Sequence, residues 1–166
     1  LPGGPLFVGC THPSANLSKS APYTGPFRDW EEENAQQMKF IDERISQLAN
    51  SKPMAILGDF NFGPAFSEQE IVGEFEKNYW DFMGNQYLDP IAWPKYRACT
   101  YCNSNSLNKP TDSSNLIDHI FLKNIAPERV LNASIFMTEK LQVERDGDMT
   151  LTHLSDHFGV LLELHY

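Results

Sequence analysis

The sequence predicts one layered α/β domain, and three features of the chain carry that prediction. Short apolar runs at Leu6–Cys10 and Met54–Leu57 are bounded by glycine and proline, as buried strands are. A segment of helical periodicity lies between them, and the order strand, loop, helix, strand is typical of layered α/β folds. With 166 residues, 41% hydrophobic and 21% charged, the chain has the size and composition of a single globular domain over 1–166.

The first strand, Leu6–Cys10, is almost wholly apolar, so we expect both of its faces to be buried. The stretch that follows, to Pro26, is rich in Ser, Pro and Gly and predicts an irregular loop at the carboxyl end of the strand. From Phe27 to Asn50, apolar side chains recur on one face of an amphipathic helix. Those side chains are Phe27, Trp30, Met38, Ile41, Ile45 and Leu48.

The second strand, Met54–Leu57, runs into a loop bounded by glycine and proline, Gly58–Pro64, which carries two polar side chains. Ser67–Lys77 predicts a short acidic helix, and the aromatic stretch from there to Arg97 has no firm pattern. Further strands are predicted at Leu116–Leu122, Val130–Met137 and Val160–Leu164.

Charge and cysteine content exclude some functions. Thirteen Lys and Arg against 22 Asp and Glu give a formal net charge of −9, which disfavours binding of nucleic acid by bulk positive potential. The pair Cys99-x-x-Cys102 lacks the second ligand pair that a zinc site needs, and the sequence leaves open whether the two are bonded. Two N-x-[ST] sequons, at Asn16 and Asn132, favour a secreted protein, with a cytoplasmic location as the alternative.

Polar residues collect near the ends of the predicted strands, where rigid sheets usually present reactive groups. Taken singly, each has an ordinary structural explanation; an Asp followed by Asn in a glycine-flanked turn, for example, is commonly an Asx-turn. Their joint occurrence in strand order favours a site. The candidate residues are His12, Asp59, Asn61, Asp118, Asp156 and His157.

Four segments in this order resemble motifs of the endonuclease/exonuclease/phosphatase superfamily, which has the DNase I-like fold. Phe7–His12 resembles its strand followed by T-H, and Met54–Asn61 resembles its strand followed by G-D-x-N. Ile117–Leu122 resembles the I-D-x-I/V strand, and Leu154–Val160 resembles the terminal S-D-H motif. The resemblance implies a four-layer α/β/β/α sandwich and metal-dependent hydrolysis of a phosphodiester.

The resemblance also implies roles for individual residues. Asp59 would orient or deprotonate the attacking water, and Asn61 would hold a phosphoryl oxygen. His12, a second substrate-binding residue, would pair with Asp118, which would fix its tautomer.

At the other end of the chain, Asp156 would lie at the metal edge or orient His157, which would contact the phosphate or transfer a proton. Which histidine is the base stays open. The implied metal is Mg²⁺ or another divalent cation held by Asp59, Asn61 and Asp156, because carboxylate and amide oxygens suit hard cations.

Two features resemble the neutral sphingomyelinase branch: the long loop Pro13–Pro26, and the segment Cys99–Asn108 with its T-x-x-x-x-N-x-L pattern. The implied reaction is phospholipase C-type cleavage of sphingomyelin to ceramide and phosphocholine, with a phospholipid headgroup as substrate and a peripheral membrane contact. The alternatives are a secreted DNase I-like endonuclease acting on nucleic acid, and a non-catalytic binding fragment of the same fold.

The chain departs from the family in one respect. Members carry, ahead of the T-H strand, an N-terminal half with an Asn at the end of the first strand and a Glu in a Q-E setting as principal metal ligand. Neither motif precedes the T-H strand in this sequence. We therefore expect the chain to correspond to the C-terminal portion of the domain, with a separate or missing N-terminal half as its partner. By itself it is expected to bind Mg²⁺ poorly and to lack full activity.

Overall fold

The computed structural model describes residues 4–66 and 70–165. The predicted layered α/β fold is confirmed within this part of the chain. Its helices are α1 (Trp30–Ala49) and α2 (Glu76–Met83), and its strands are β1 (Phe7–Thr11), β2 (Met54–Asp59), β3 (Asp118–Lys123), β4 (Val130–Phe136), β5 (Leu141–Arg145), β6 (Asp148–Thr152) and β7 (Gly159–Leu164). Neither α-helix combines the length and the hydrophobicity that a membrane span requires.

The first sheet has the order β1-β2-β3. β1 and β2 run parallel and are joined through α1, which packs on the sheet with Ile45 directly over Gly9. β3 runs antiparallel to β2, so its first residue, Asp118, lies opposite the last residue of β2, Asp59. This topology places the last residues of β1 and β2 and the first residue of β3 side by side, at the same end of the sheet.

The second sheet consists of β4 and β7, paired antiparallel, and it covers the opposite face of the first sheet. Ala55 and Leu122 of the first sheet pack there with Val130 and Leu162 of the second. β5 and β6 form a separate hairpin whose side chains are exposed except at Thr152. The architecture is therefore helices on a sheet that packs on a second sheet, with the hairpin at its side.

An aromatic core fills the space between the helices and the first sheet. Phe60 and Phe62, which follow β2, are both fully buried and pack against Phe82 and Phe121. Because Phe60 and Phe62 are fixed in the core, the residues that alternate with them, Asp59 and Asn61, are held at the carboxyl end of β2.

The prediction that β1 is buried on both faces is wrong. Only the face under α1 is covered; on the other face Val8 is 59% exposed and Cys10 is also exposed. β1 lies at the edge of its sheet, where the second sheet, made of β4 and β7, does not reach it. An apolar run predicts a strand but does not reveal what covers it.

Two helix boundaries also differ from the predictions. α1 begins at Trp30 because the Asp29 side chain caps it, accepting the backbone N–H of Glu32 at 2.9 Å, so Phe27 lies outside the helix. The acidic helix predicted for Ser67–Lys77 is wrong in its position, since α2 begins only at Glu76. Residues 67–69 lie outside the described residues.

Candidate active site

Asp59 reaches the edge of the sheet through a glycine that the local geometry requires. Gly58 has φ of +148°, and a Cβ at this position would overlap the carbonyl oxygen of Thr11 on the neighbouring strand. Asp59 Oδ1 then accepts the backbone N–H of Asn61 at 2.8 Å, which is an Asx-turn. Asn61 takes a left-handed backbone, φ 52°, which Asn tolerates better than most residues. The turn leaves the second carboxylate oxygen of Asp59 to face the cleft.

His157 lies between two carboxylates. Its Nδ1 is 2.8 Å from Asp118 Oδ2, and its Nε2 is 3.9 Å from Asp59 Oδ2. The ring of Tyr101 packs edge-on against the imidazole with ring centroids 5.3 Å apart. The imidazole is therefore held in a fixed orientation, with Nδ1 bound to Asp118 and Nε2 toward the cleft.

His12 completes the group from the opposite side. It follows β1, and its Nε2 lies 3.5 Å from Asp59 Oδ2, the same oxygen that His157 faces. The His12 side chain is 71% exposed. We call His12, Asp59, Asp118 and His157 the His/Asp cluster; it joins two imidazoles and two carboxylates from four separate segments of the chain.

Two members of the His/Asp cluster, Asp59 and His157, have raised pKa values. Burial, and then the negative charge of Asp118, raises the pKa of Asp59 above its ordinary value. The pKa of His157 is also raised, first by its hydrogen bond to Asp118, against the effect of burial, and then by the charges of Asp118 and Asp59. Perturbed groups that face one another in a cleft are typical of sites that transfer protons.

Two predicted site residues, Asn61 and Asp156, lie near the cluster without joining it. The amide nitrogen of Asn61 donates to the carbonyl oxygen of Pro13 at 3.0 Å, and the residue is 8% exposed. Asn61 therefore holds the loop that carries His12. Asp156 is exposed, and its carboxylate accepts only from the neighbouring hydroxyl of Ser155, at 3.3 Å, among the hydrogen bonds of the described residues.

One predicted pairing is corrected by this geometry. Asp118 pairs with His157 and not with His12, because the loop before β7 brings His157 to the start of β3 while His12 follows β1 on the other side of Asp59. The predicted metal ligands Asp59, Asn61 and Asp156 stay a prediction. Among the His, Cys, Asp and Glu side chains of the described residues, Asp59, Asp118 and His157 have ligand atoms that all lie within 4.8 Å of one another.

Tyr101, which supports His157, is a site residue that the sequence analysis does not predict. It lies in the segment 99–108, where Cys99 and Cys102 form a disulfide. A backbone bridge pairs Tyr101 with His157, and the Tyr101 hydroxyl donates to Asp112 at 2.9 Å. In the sequence, Tyr101 is marked only as an aromatic residue between two cysteines, and the motifs of the resemblance assign it no role.

A groove of about 430 Å³ adjoins the cluster on the His12 side. It runs between the loop after β1 and the middle of α1. Its lining residues are Thr11, His12, Pro13, Ser14, Ala15, Gln37, Phe40 and Ile41. The groove gives a bound molecule room beside the exposed imidazole of His12.

No protein-family model and no curated protein matches the chain. Solved structures do match. Beta toxin from Staphylococcus aureus, with bound magnesium ions, is 21% identical with a TM-score of 0.65 over 95% of this chain and 52% of that one. Sphingomyelinase C from Streptomyces griseocarneus is 15% identical with a TM-score of 0.61 over 95% and 52%. An endonuclease/exonuclease/phosphatase family protein from Bacteroides thetaiotaomicron is 21% identical with a TM-score of 0.55 over 80% and 44%.

These matches confirm the predicted fold. The chain has the DNase I-like fold, present in part, and its structure resembles those of an endonuclease/exonuclease/phosphatase family protein and sphingomyelinase C, among others. It spans about half the length of the solved proteins that it matches. At these identities the likeness concerns the fold, so activity has to be argued from the site.

Proposed function

We propose, for a chain with the DNase I-like fold and this His/Asp cluster, that it forms the acid–base part of a metal-dependent phosphodiesterase. The observation that carries the proposal is the orientation of His157, with Nδ1 held by Asp118 and Nε2 directed at Asp59 across the cleft. An imidazole fixed in this way is suited to proton transfer at one chosen nitrogen.

His157 is the proposed proton-transfer residue. Its Nδ1–H donates to Asp118, which sets the tautomer and leaves Nε2 to exchange a proton with a water or an oxygen in the cleft. His12 is oriented less firmly, since its Nε2 is 3.5 Å from Asp59 and its side chain is largely exposed. This difference favours His157 over His12 as the base.

Asp59 and His12 have supporting roles in the proposal. Asp59 Oδ2 lies between the two imidazoles, where it orients the attacking water toward the phosphorus. His12 borders the groove of about 430 Å³, where it contacts a phosphoryl or leaving oxygen. Asn61 acts on His12 indirectly, through its hydrogen bond to Pro13.

The donor set fits a divalent cation in part. Two carboxylates, Asp59 and Asp118, offer oxygens within 4.8 Å of each other, and their mutual repulsion, which helps to raise the pKa of Asp59, would be relieved by a cation. Mg²⁺ usually keeps several waters beside one or two carboxylates, so Asp59 and Asp118 would leave most of its six positions to water or substrate oxygens, and weak binding by this chain without substrate is expected. When bound, the cation would polarise the phosphodiester. The magnesium in the beta toxin structure supports this choice of metal.

We propose a phospholipid, sphingomyelin, as the substrate and an extracellular membrane as its location. Leu154, three residues before His157, is 58% exposed and lines a cavity of about 410 Å³ with Phe136, Met137 and Leu141. Exposed apolar groups beside a polar site mark contact with a membrane or a protein. The Cys99–Cys102 disulfide favours an oxidising compartment, and the net charge of −9 disfavours DNA. The likeness to sphingomyelinase C supports the same substrate.

The test is parallel hydrolysis of sphingomyelin vesicles, phosphatidylcholine vesicles and DNA by the longest natural form of the protein, with Mg²⁺ and with chelator. We expect phosphocholine release from sphingomyelin that stops on chelation. Faster cleavage of DNA would replace the lipid substrate with a nucleic acid. Absence of hydrolysis of all three would overturn the proposed function.

A further inference from the structure

Thr100 is a fully buried residue, 0% exposed, and its hydroxyl oxygen binds two backbone N–H groups at once. Thr100 Oγ1 accepts the backbone N–H groups of both Ile117 and Asp118, each at 3.1 Å. A hydroxyl oxygen has two acceptor positions, so these two bonds use its full accepting capacity. The side chain of Thr100 thereby fixes the backbone at the point where Asp118 enters β3.

The backbone of Thr100 contacts the segment that carries His157, the partner of Asp118. Its carbonyl oxygen accepts the N–H of Phe158 at 2.8 Å, and its N–H donates to Asn115 at 2.9 Å. Phe158 directly follows His157. One residue is therefore bonded to the backbone beside both partners of the hydrogen bond between His157 and Asp118, which come from distant parts of the chain.

The rest of the segment 99–108 reinforces this connection. Asn105 Nδ2 donates to the carbonyl oxygen of Ser155 at 2.9 Å, and Asn108 Nδ2 donates to that of Asp156 at 2.8 Å. The Cys99–Cys102 disulfide closes the turn that carries Thr100 and Tyr101. The segment thus holds the residues before and after His157 while Thr100 holds Asp118.

We propose that Thr100 is a positioning residue that sets the distance and orientation between Asp118 and His157. Its consequence for catalysis rests on the proposed function, whereas its consequence for the geometry of the pair does not. A buried N–H that loses its acceptor is costly, so removal of the hydroxyl should make the backbone at Ile117 and Asp118 shift to find new partners. A small displacement at such a pair has a large effect on proton transfer.

The matched variants are Thr100→Val, which keeps the shape and removes the hydroxyl, and Thr100→Ser, which keeps the hydroxyl and removes a methyl group. Thr150→Val on the exposed β6 strand is the control for the substitution itself. The first readout is the ¹H NMR resonance of the His157 Nδ1–H, measured on the chain without substrate. We expect this downfield signal in the wild type, Thr100→Ser and Thr150→Val, and its loss or displacement in Thr100→Val.

The second readout is the kinetics of the natural full-length form. Thr100→Val should lower kcat by about tenfold to a hundredfold with KM little changed, and Thr100→Ser should recover most of the loss. An unchanged His157 signal and an unchanged kcat in Thr100→Val would overturn the proposal. If the wild type has the NMR signal and hydrolyses no phosphodiester, the proposed function fails and the positioning role stands.

Should Thr100→Val fail to fold, hydrogen exchange in the wild type decides the matter. The amides of Asp118 and Phe158 should be protected from exchange like those of the β3 core, because each donates to Thr100. Rapid exchange of these two amides in the folded protein would overturn the proposal.

Discussion

His157 is the residue on which the proposed chemistry depends, because its two ring nitrogens have different surroundings. Nδ1 is 2.8 Å from Asp118, while Nε2 faces Asp59 at 3.9 Å and the cleft. If Asp118 only orients the ring and stabilises its charged form, then a neutral amide at this position should leave the fold intact and still impair proton transfer.

Asp118→Asn should lower kcat by about 10²- to 10⁴-fold, since an amide can present its N–H₂ group to Nδ1 and favour the wrong tautomer. The measurement is steady-state hydrolysis of the best substrate. Asp146→Asn, at the exposed tip between β5 and β6, is the control and should leave kcat unchanged. Equal kcat values for Asp118→Asn and the wild type would remove Asp118 from the mechanism.

The pH dependence of activity follows from the pKa of His157. As a base His157 must be neutral, and its pKa is raised above the ordinary value of 6.5, so kcat/KM should rise with pH through a midpoint above 6.5. Because the hydrogen bond to Asp118 is the largest cause, Asp118→Asn should move the midpoint of the residual activity to lower pH. A midpoint that stays or rises in this variant would contradict the assignment.

The free energy of unfolding should also depend on the protonation of His157, but it should fall with rising pH where the activity rises. A raised pKa means that the folded state binds the proton more tightly, so this stabilisation is full below about 6.5, the ordinary value, and is lost as pH rises through the folded value. The ionised pair therefore stabilises the protein most under conditions where the proposed base is inactive.

At the residue scale, the sequence predicts which side chains gather better than how they pair. Proximity in the fold can be predicted for residues beside strand ends, because these ends meet at one end of the sheet. This applies to His12, Asp59, Asp118 and His157. The partner of Asp118 depends on how the loop before β7 is held by Tyr101, a contact between residues far apart in sequence. The hydrogen bond from the Asn61 amide to Pro13 is also beyond a local sequence pattern, since the two residues are 48 positions apart.

At the scale of elements, the sequence-based predictions do not include the β5–β6 hairpin although its signal is in the sequence. Asp146-Gly147 joins the two strands with positive φ at both positions, 55° and 87°, and an Asp-Gly pair between alternating residues is a strong hairpin signal. The hairpin exposes apolar side chains on both of its faces, Leu141 and Val143 on one and Met149 and Leu151 on the other, which suits insertion of the hairpin at the proposed membrane contact.

The double variant Met149→Ser and Leu151→Ser should weaken binding to sphingomyelin vesicles by tenfold or more, on the order of what burial of two such side chains contributes. Co-sedimentation with vesicles measures it. Leu48→Ser is the matched control, because Leu48 is 65% exposed at the end of α1 remote from the cleft. Equal loss of binding in the control, or none in the double variant, would place the membrane contact elsewhere.

The segment 99–108 gives a second prediction at this scale. Replacing Cys99 and Cys102 by Ser should lower the free energy of unfolding by about 2 kcal/mol, the value for closing so short a loop. Urea unfolding measures the loss. Cys10→Ser, which removes the free and exposed thiol, should change it little. The opposite ranking would mean that the disulfide contributes nothing to the described fold.

At the scale of the whole molecule, strands and the long helix could be predicted because their signals are local. The antiparallel direction of β3 and the packing of the β4–β7 sheet could not, since both depend on contacts across most of the chain. The family motifs supplied that missing information, and the matched solved structures confirm the fold they implied. What covers the exposed face of β1 is also beyond a local pattern, as Val8 shows.

The central claim is that His157 within the His/Asp cluster transfers the proton in phosphodiester hydrolysis. The most direct measurement is kcat/KM of the longest natural form, on the phosphodiester it hydrolyses fastest, for His157→Ala beside His165→Ala, an exposed histidine outside the cluster. We predict a loss of at least about 10²-fold for His157→Ala, with unfolding temperature retained, and no loss for His165→Ala. Wild-type kcat/KM in His157→Ala would contradict the claim.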